Sequence, residues 1–161
     1  TLRGPLHGGA NEAAMAMIEN WTSVEEAERE TLGMLERKEK IMGFGHAIYR
    51  ESDPRNALIK ASSKTLSDSV EDTYLYAVSE RVESVMKREK DLFCNADFFH
   101  ASAYHFMNIP TKLFTPIFVM SRLTGWCAHI FEQRENNRII RPSADYTGPE
   151  HQDWLPIDKR L

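Results

Sequence analysis

The chain has 161 residues, of which 42% are apolar and 27% charged, and its formal net charge is −4. This composition is typical of one globular domain with a core of its own. The acidic balance argues against nucleic acid as a partner, and no apolar run approaches the ~20 residues that a bilayer span needs. Two cysteines, Cys94 and Cys127, are too few for a disulfide framework and favour a reducing compartment.

The first residues resemble the interior of a protein more than its beginning. No initiator methionine or leader pattern precedes them, and glycine or proline occupies four of the first nine positions. We therefore expect this chain to be the C-terminal part of a longer protein.

Apolar side chains recur at helical spacing through the first half of the chain. The patterns predict helices over about 11–21, 24–39, 54–64 and 72–89, with a polar connection over 66–71. Ser23 and Glu26 have the spacing of a capping box at the start of the second helix. Basic residues at 87–90 complement the dipole of the fourth.

Two further helices are predicted in the second half. Asn95 is expected to cap a helix that runs to about Met107. The next helix begins near Thr115 and is apolar on nearly all sides, which predicts that it is buried. Residues 135–161 carry several prolines and predict an irregular tail that wraps over another surface. Because no segment has the period of a strand, the predicted fold class is all-α.

The most distinctive stretch is Gly-Phe-Gly-His-Ala-Ile-Tyr-Arg-Glu-Ser-Asp-Pro-Arg at residues 43–55. Its glycines let the backbone approach a ligand closely just before His46. Arg50 and Arg55 follow, so the loop is suited to present an imidazole and two guanidiniums to an anion. His7 lies in a similar glycine-containing segment. A structural role is the alternative for each histidine, but their matching contexts favour function.

A metal site is not expected. No pair of cysteine or histidine residues has the spacing of metal ligands, and His100 and His105 lie five apart instead of the four that share one helix face. These two, together with His129 and His151, are expected to be packing or surface groups.

Asp97 lies between Ala96 and two phenylalanines, and two interpretations stay open. An apolar setting removes water from a carboxylate and makes it a stronger base, whereas a helix N terminus stabilises it as an anion. Arg122, within an apolar helix, needs a partner or a bound anion. Together, Arg55, Arg122 and Arg141 favour a polycarboxylate ligand, although an ordinary ion pair is the alternative for each.

Taken together, several segments resemble the citrate synthase family. The three catalytic segments of that family are matched in order by residues 4–12, 43–55 and 95–99. The match then covers essentially the whole chain, through residues 114–116, 121–126, 128–130 and 141–142. Within the family, residues 6–12, 132–134 and 139–150 are most similar to the 2-methylcitrate synthase subfamily, whereas Arg50 is more like general citrate synthases.

The resemblance implies a citrate synthase-like multihelical fold. It also implies condensation of an acyl-CoA with oxaloacetate and hydrolysis of the thioester, with no metal and no permanently bound cofactor. Coenzyme A enters this reaction as the thioester substrate. Asp97 would remove an α-proton of the acyl group, His7 would hydrogen-bond the thioester oxygen, and His46 would polarise the oxaloacetate ketone.

The remaining site residues follow from the same resemblance. Substrate carboxylates would be held by Arg55, Arg122 and Arg141, the last of these reaching the neighbouring subunit of a homodimer. Coenzyme A would lie against Gly43, Phe44, Gly45 and Arg50. The expected acyl donor is propionyl-CoA. The alternatives are acetyl-CoA, as in citrate synthase proper, and a non-catalytic fragment that binds coenzyme A.

The domain organisation is also an expectation from the resemblance. Residues 1–10 would be a hinge segment with a catalytic histidine, 11–110 a small coenzyme A-binding domain, and 111–161 the C-terminal part of a large domain. Another substrate-contacting histidine of the family and most of its large domain have no counterpart here. The chain by itself is therefore expected to be inactive without the missing N-terminal part. The expected location is the cytoplasm, or the mitochondrial matrix in a eukaryote.

Overall fold

The computed structural model describes residues 8–160, and in this range the chain is helical, as predicted. The described residues contain no strand, only an isolated antiparallel bridge between Phe44 and Cys94. None of the helices in this range has both the length and the apolar content to cross a bilayer. The helices are α1 (Ala10–Ile18), α2 (Val24–Glu36), α3 (Asn56–Ser69), α4 (Tyr74–Lys90), α5 (Ala96–Phe106) and α6 (Phe114–Glu135), with short 3-10 turns at Thr111–Leu113 and Ile157–Lys159.

Side-chain caps fix where two of the helices begin, as the sequence predicts. The Ser23 hydroxyl accepts a hydrogen bond of 2.9 Å from the backbone N–H of Glu26. The Glu26 carboxylate in turn accepts a 2.6 Å bond from the backbone N–H of Thr22. At α5, the side-chain oxygen of Asn95 accepts a 3.0 Å bond from the backbone N–H of Asp97. Each cap satisfies a donor that the first helical turn leaves without an internal partner.

Helix α3 is longer than predicted, and the expected connection over residues 66–71 is wrong. The helix continues to Ser69. Its C-terminal end is polar in sequence, but part of that end is packed inside the protein. Ser67 is buried, and its hydroxyl donates a 2.6 Å bond to the backbone carbonyl of Asp72. Leu66 packs against the hydrophobic core. A serine whose hydroxyl is satisfied this way is compatible with a buried helix position.

The core lies where α5 packs against α1 and α3, and where α4 packs against α2. Helix α4 supplies a stripe at helical spacing, with Leu75, Val78, Val82 and Val85 all buried. Helix α5 is buried on most of its faces, and Phe98 and Phe99 are fully buried. Burying each of these side chains contributes about 1.5–3 kcal/mol. The helix that carries Asp97 is therefore held rigidly.

The chain divides into two compact units, one ending at Gly125 and the other comprising Trp126 to the C terminus. The first unit contains the core described above. In the second, residues 137–156 have neither helix nor strand, so the predicted irregularity of this segment is confirmed, and its packing over another surface remains a prediction. The domain boundaries expected from the resemblance remain a prediction.

The prediction that the apolar helix α6 is buried is wrong. Phe114 at its start is buried, but Met120 is 70% exposed, Leu123 55% and Ile130 52%. A helix that is apolar on all sides is buried when other surface covers it, and the described residues leave these side chains uncovered. Arg122 is correspondingly exposed instead of enclosed.

A short backbone junction joins residues 43–45 to residues 93–95. The backbone N–H of Gly45 donates to the carbonyl of Phe93 at 2.9 Å, and that of Asn95 donates to the carbonyl of Gly43 at 2.9 Å. The Asn95 side-chain amide adds a 2.9 Å bond to the carbonyl of Gly45. This junction brings the glycine-containing loop onto the N terminus of α5.

Gly43 is required at this junction for two reasons. Its φ of 92° lies in the left-handed region that favours glycine. A Cβ there would also lie 2.8 Å from the Cβ of Phe98, in the rigid first turns of α5. Gly45 has a φ of 70°, but a Cβ there would approach only Leu92, at 3.8 Å. Both glycines thus have a positive φ that favours glycine, but only Gly43 lacks the space for a side chain.

We expect Gly43→Ala to lower the free energy of unfolding by about 2–4 kcal/mol, because left-handed strain and a steric clash add together. Gly45→Ala is the matched control and should cost only about 1 kcal/mol, from strain alone. Urea unfolding of the chain, followed by circular dichroism, measures both. Equal losses for the two variants would contradict the close approach at Gly43.

Candidate active site

His46 is held in one orientation by the loop that carries it. Its Nδ1 accepts hydrogen bonds from the backbone N–H groups of Ile48 at 3.1 Å and Tyr49 at 3.2 Å. The imidazole also lies against the Tyr49 ring, with centroids 4.5 Å apart. Because Nδ1 is an acceptor, the neutral ring carries its proton on Nε2. His46 therefore offers Nε2–H as a hydrogen-bond donor.

Asp97 stands in the first turn of α5, and its backbone is fixed by the Asn95 cap. The same Asn95 side chain reaches the carbonyl of Gly45, next to His46. One amide thus connects the loop of the histidine to the helix of the aspartate. Asp97 is half-buried, so its setting combines partial desolvation with a helix N terminus.

Asp53 forms a second connection between the same two elements, with a carboxylate as the acceptor. Its Oδ1 accepts from the backbone N–H of Arg55 at 3.0 Å and from Arg55 Nε at 2.9 Å. Its Oδ2 accepts from Arg55 Nη2 at 2.7 Å and from the backbone N–H of Ala96 at 3.0 Å. Each carboxylate oxygen therefore accepts two bonds. The residue is 3% exposed, so its carboxylate is shielded from water, whereas the Arg55 side chain is 46% exposed.

The Arg55 guanidinium bonded to Asp53 holds the pKa of that carboxyl at about 2, below its ordinary value of 3.8. Burial opposes this shift, while the Arg55 and Ala96 backbone N–H groups and the charge of Arg55 reinforce it. The Asp53 carboxylate in turn raises the pKa of Arg55. The pair is charged throughout the physiological range.

A cleft of about 740 Å³ in the first unit brings most of the predicted site residues together. It is bordered by the loop at residues 40–48, the start of α5 and one face of α6. The predicted site residues in its lining are Gly43, Phe44, Gly45, His46, Arg55, Asp97 and Arg122. One imidazole, one carboxylate and two guanidiniums therefore face a single space.

The two arginines reach this cleft in different ways. Arg55 uses Nε and Nη2 to bind Asp53, which leaves three of its five N–H donors for a ligand. Its guanidinium also lies over the Tyr49 ring at 5.8 Å. The Arg122 guanidinium lies 4.8 Å from the centre of the Phe118 ring, and Phe118 lines the cleft as well. Arg55 thus forms the ion pair that was expected as the alternative to ligand binding, and it lines the cleft as well.

Three predicted site residues are not assembled here. His7 lies outside the described residues. Arg50 is exposed and does not line the cleft formed by the described residues. Arg141 is exposed in the second unit, in a segment without regular structure. Their functional roles remain predictions.

The other histidines are distributed as expected for packing and surface groups. His100 is half-buried and stacks on Tyr104 with ring centroids 5.1 Å apart, and burial lowers the pKa of His100. His105, His129 and His151 are exposed. Within residues 8–160, no three His, Cys, Asp or Glu side chains are grouped in a way that would hold a metal ion. That the site works without a metal remains a prediction.

The roles of Asp53 and Phe118 were not predicted from the sequence. A signal was present, because an aspartate two residues before an arginine, with a proline between, is well placed to bind that arginine locally. The bond to Ala96 joins segments far apart in the sequence, and no local pattern predicts it.

The Asp53 network predicts a specific dependence of stability on pH. The folded-state pKa of about 2 lies below the ordinary 3.8, so the contribution is full above about pH 5 and is lost as the pH falls through about 2. The expected size is roughly 1–2 kcal/mol, because the Arg55 side chain is half-exposed and partly screened. Urea unfolding of the wild-type chain and Asp53→Asn at pH 7, 4 and 2.5 tests this. The difference between them should shrink at acid pH, and a constant difference would contradict it.

Comparison with known proteins identifies the family of this chain. The family described as "Citrate synthase, C-terminal domain" matches residues 1–143. A 2-methylcitrate synthase of Shewanella oneidensis is 64% identical over 160 residues, which is 99% of this chain and 43% of that protein. Citrate synthase 2 of Bacillus subtilis is 51% identical and is covered to 43% of its length. This chain thus spans less than half the length of these relatives.

The fold is similar to solved structures as well. A citrate synthase from the archaeon Thermoplasma acidophilum, in a ternary complex with carboxymethyl coenzyme A and oxaloacetate, has a TM-score of 0.82 and 34% identity. The alignment covers 99% of this chain and 44% of that one. The predicted multihelical, citrate synthase-like fold is therefore confirmed, and the chain belongs to the citrate synthase family.

Proposed function

We propose that this chain is the C-terminal part of an enzyme that condenses an acyl-CoA with oxaloacetate. The preferred acyl donor is propionyl-CoA, so that the products are 2-methylcitrate and coenzyme A. The observation that carries this proposal is the cleft lined together by His46, Asp97, Arg55 and Arg122. A base, a fixed hydrogen-bond donor and two guanidiniums around one space suit the joining of a thioester to a keto-diacid.

In the first step, Asp97 accepts an α-proton from the acyl group, and the thioester becomes an enol or enolate. The α-proton of a thioester is weakly acidic, so the base acts together with a donor to the thioester oxygen. His7 is assigned as that donor. This assignment rests on the family resemblance of residues 4–12, because His7 lies outside the described residues.

In the second step, the α-carbon attacks the ketone carbon of oxaloacetate and a carbon–carbon bond forms. His46 donates Nε2–H to the ketone oxygen, which becomes the hydroxyl of the product. The orientation of His46 is prepared in advance, because backbone N–H groups of Ile48 and Tyr49 already occupy Nδ1. Water then adds to the thioester carbonyl, the carbon–sulfur bond breaks, and coenzyme A leaves as the thiol.

Binding is assigned to the remaining site residues. Arg55 and Arg122 hold carboxylates of oxaloacetate, and the planar guanidinium suits this role because it bonds both oxygens of a carboxylate. Arg141 completes the neighbouring subunit's site in a homodimer. Coenzyme A lies against Gly43, Phe44, Gly45 and Arg50, where glycines allow the backbone to come close to the ligand.

The catalytic unit includes more protein than these 161 residues. The relatives are more than twice as long, and the exposed apolar side chains of α6, such as Met120 and Leu123, support further protein packing there. We infer that the remaining protein, expected from the family resemblance to be N-terminal to this chain, packs against α6. The cysteines Cys94 and Cys127 are free, which favours a reducing compartment such as the cytoplasm, or the mitochondrial matrix in a eukaryote.

The choice of acyl group predicts a measurable preference. The Shewanella relative, named for 2-methylcitrate, is 64% identical, against 51% for the Bacillus citrate synthase. In the full-length enzyme that carries this chain, we expect kcat/KM for propionyl-CoA to exceed that for acetyl-CoA. A clear preference for acetyl-CoA would instead identify a citrate synthase proper. The isolated 161-residue chain should form neither product, and turnover by it would contradict the need for an N-terminal part.

The base assignment predicts the behaviour of Asp97→Asn. In the full-length enzyme this change should slow exchange of the acyl α-protons by ~100-fold or more, because no general base remains. Oxaloacetate affinity should stay within about twofold. Asp68→Asn is the matched control, since Asp68 is an exposed residue of α3 paired with Lys64, and it should change neither quantity. Undiminished exchange in Asp97→Asn would remove Asp97 from the mechanism.

A further inference from the structure

Among the charged groups near the cleft, Asp53 is unusual because it is buried and does not itself line the cleft. It is 3% exposed, and its two oxygens are fully used by four N–H donors. Those donors belong to Arg55 and Ala96, and both of these residues line the cleft. Asp53 therefore hydrogen-bonds two residues that line the cleft.

The geometry at Arg55 determines the direction of its free donors. Two parallel bonds, from Nε and Nη2, fix the plane of the guanidinium against the Asp53 carboxylate. The half-exposed side chain would otherwise sample several rotamers. With Asp53 in place, Nη1 and the second N–H of Nη2 have a set direction. A ligand carboxylate then binds without ordering this side chain first.

The geometry at Ala96 adds a second effect. The same Oδ2 that binds Arg55 Nη2 also accepts the backbone N–H of Ala96, one residue before Asp97. The Asp53 carboxylate therefore fixes the position of the Arg55 guanidinium relative to the start of α5. Replacing Asp53 would therefore disturb both the binding of the keto-diacid by Arg55 and the position of the base, Asp97.

We propose that Asp53 is a positioning residue, which aims the Arg55 guanidinium at oxaloacetate and couples it to the first turn of α5. This inference rests on the proposed function and adds to it a residue that touches no substrate. Asp53 acts through Arg55, so its effect on oxaloacetate affinity depends on Arg55 being present.

The test is a double-mutant cycle in the full-length enzyme, with the dissociation constant of oxaloacetate and kcat measured separately. In Asp53→Asn, whichever way the amide turns, its NH2 faces two N–H donors, so two of the four bonds are lost. We expect oxaloacetate to bind about tenfold to a hundredfold more weakly, as for loss of one charge-assisted interaction. Arg55→Ala should weaken it at least as much. Adding Asp53→Asn to Arg55→Ala should change affinity by less than about twofold.

Glu28→Gln is the matched control, since Glu28 is a comparable carboxylate that binds Arg81 at 2.5 Å and Arg88 at 3.0 Å. It ties α2 to α4 and lies outside the cleft lining. It should leave oxaloacetate affinity within about twofold. A purely structural role of Asp53 would lower the active fraction, and so the apparent kcat, without changing the dissociation constant.

Unchanged oxaloacetate affinity in Asp53→Asn, or losses that multiply fully in the double variant, would overturn the proposal. If Asp53→Asn does not fold, Arg55→Lys decides, because it keeps the charge beside Asp53 but not the planar two-bond contact. A loss similar to that of Arg55→Ala supports the proposal, and wild-type affinity overturns it. Failure of the proposed function is a different result: the wild-type enzyme would form no condensation product, and Arg55→Ala would leave oxaloacetate affinity unchanged.

Discussion

The junction between the His46 loop and the N terminus of α5 is the interaction on which the whole site depends. Two backbone hydrogen bonds connect residues 43–45 to residues 93–95, and the side chains of Asn95 and Asp53 reinforce them. Helix α5 is anchored in turn by buried Phe98 and Phe99. Because the loop rests on a helix that the core holds rigidly, an imidazole and a carboxylate distant in sequence face the same cleft.

Most of the helices could be predicted from the sequence, since apolar spacing and caps are local signals. Ser23 and Asn95 begin α2 and α5 as their side chains predict. The end of α3 could not be predicted, because Ser67 looks polar until the carbonyl of Asp72 is seen to satisfy it. The exposure of α6 could not be predicted either. Composition shows that a helix is apolar enough to be buried. It does not show whether the surface that buries it belongs to the same chain.

The same distinction between local signals and contacts of distant segments applies to the candidate site. The glycines before His46 and the aspartate at a helix start were recognisable, because their backbone requirements appear in the local sequence. The burial of Asp53 and its bond to Ala96 were not, since they depend on two segments meeting. Arg50 does not line the cleft and Arg141 belongs to the second unit, so their roles still rest on resemblance to the citrate synthase family.

The most direct test of the account is a crystal structure of the full-length enzyme with oxaloacetate and a non-reactive acyl-CoA analogue. We predict that His46 Nε2 will lie within hydrogen-bond distance of the ketone oxygen and that Asp97 will face the acyl α-carbon. Arg55 should be bound at once to Asp53 and to a substrate carboxylate. Oxaloacetate bound away from His46 and Arg55, or Asp97 turned from the acyl group, would contradict it.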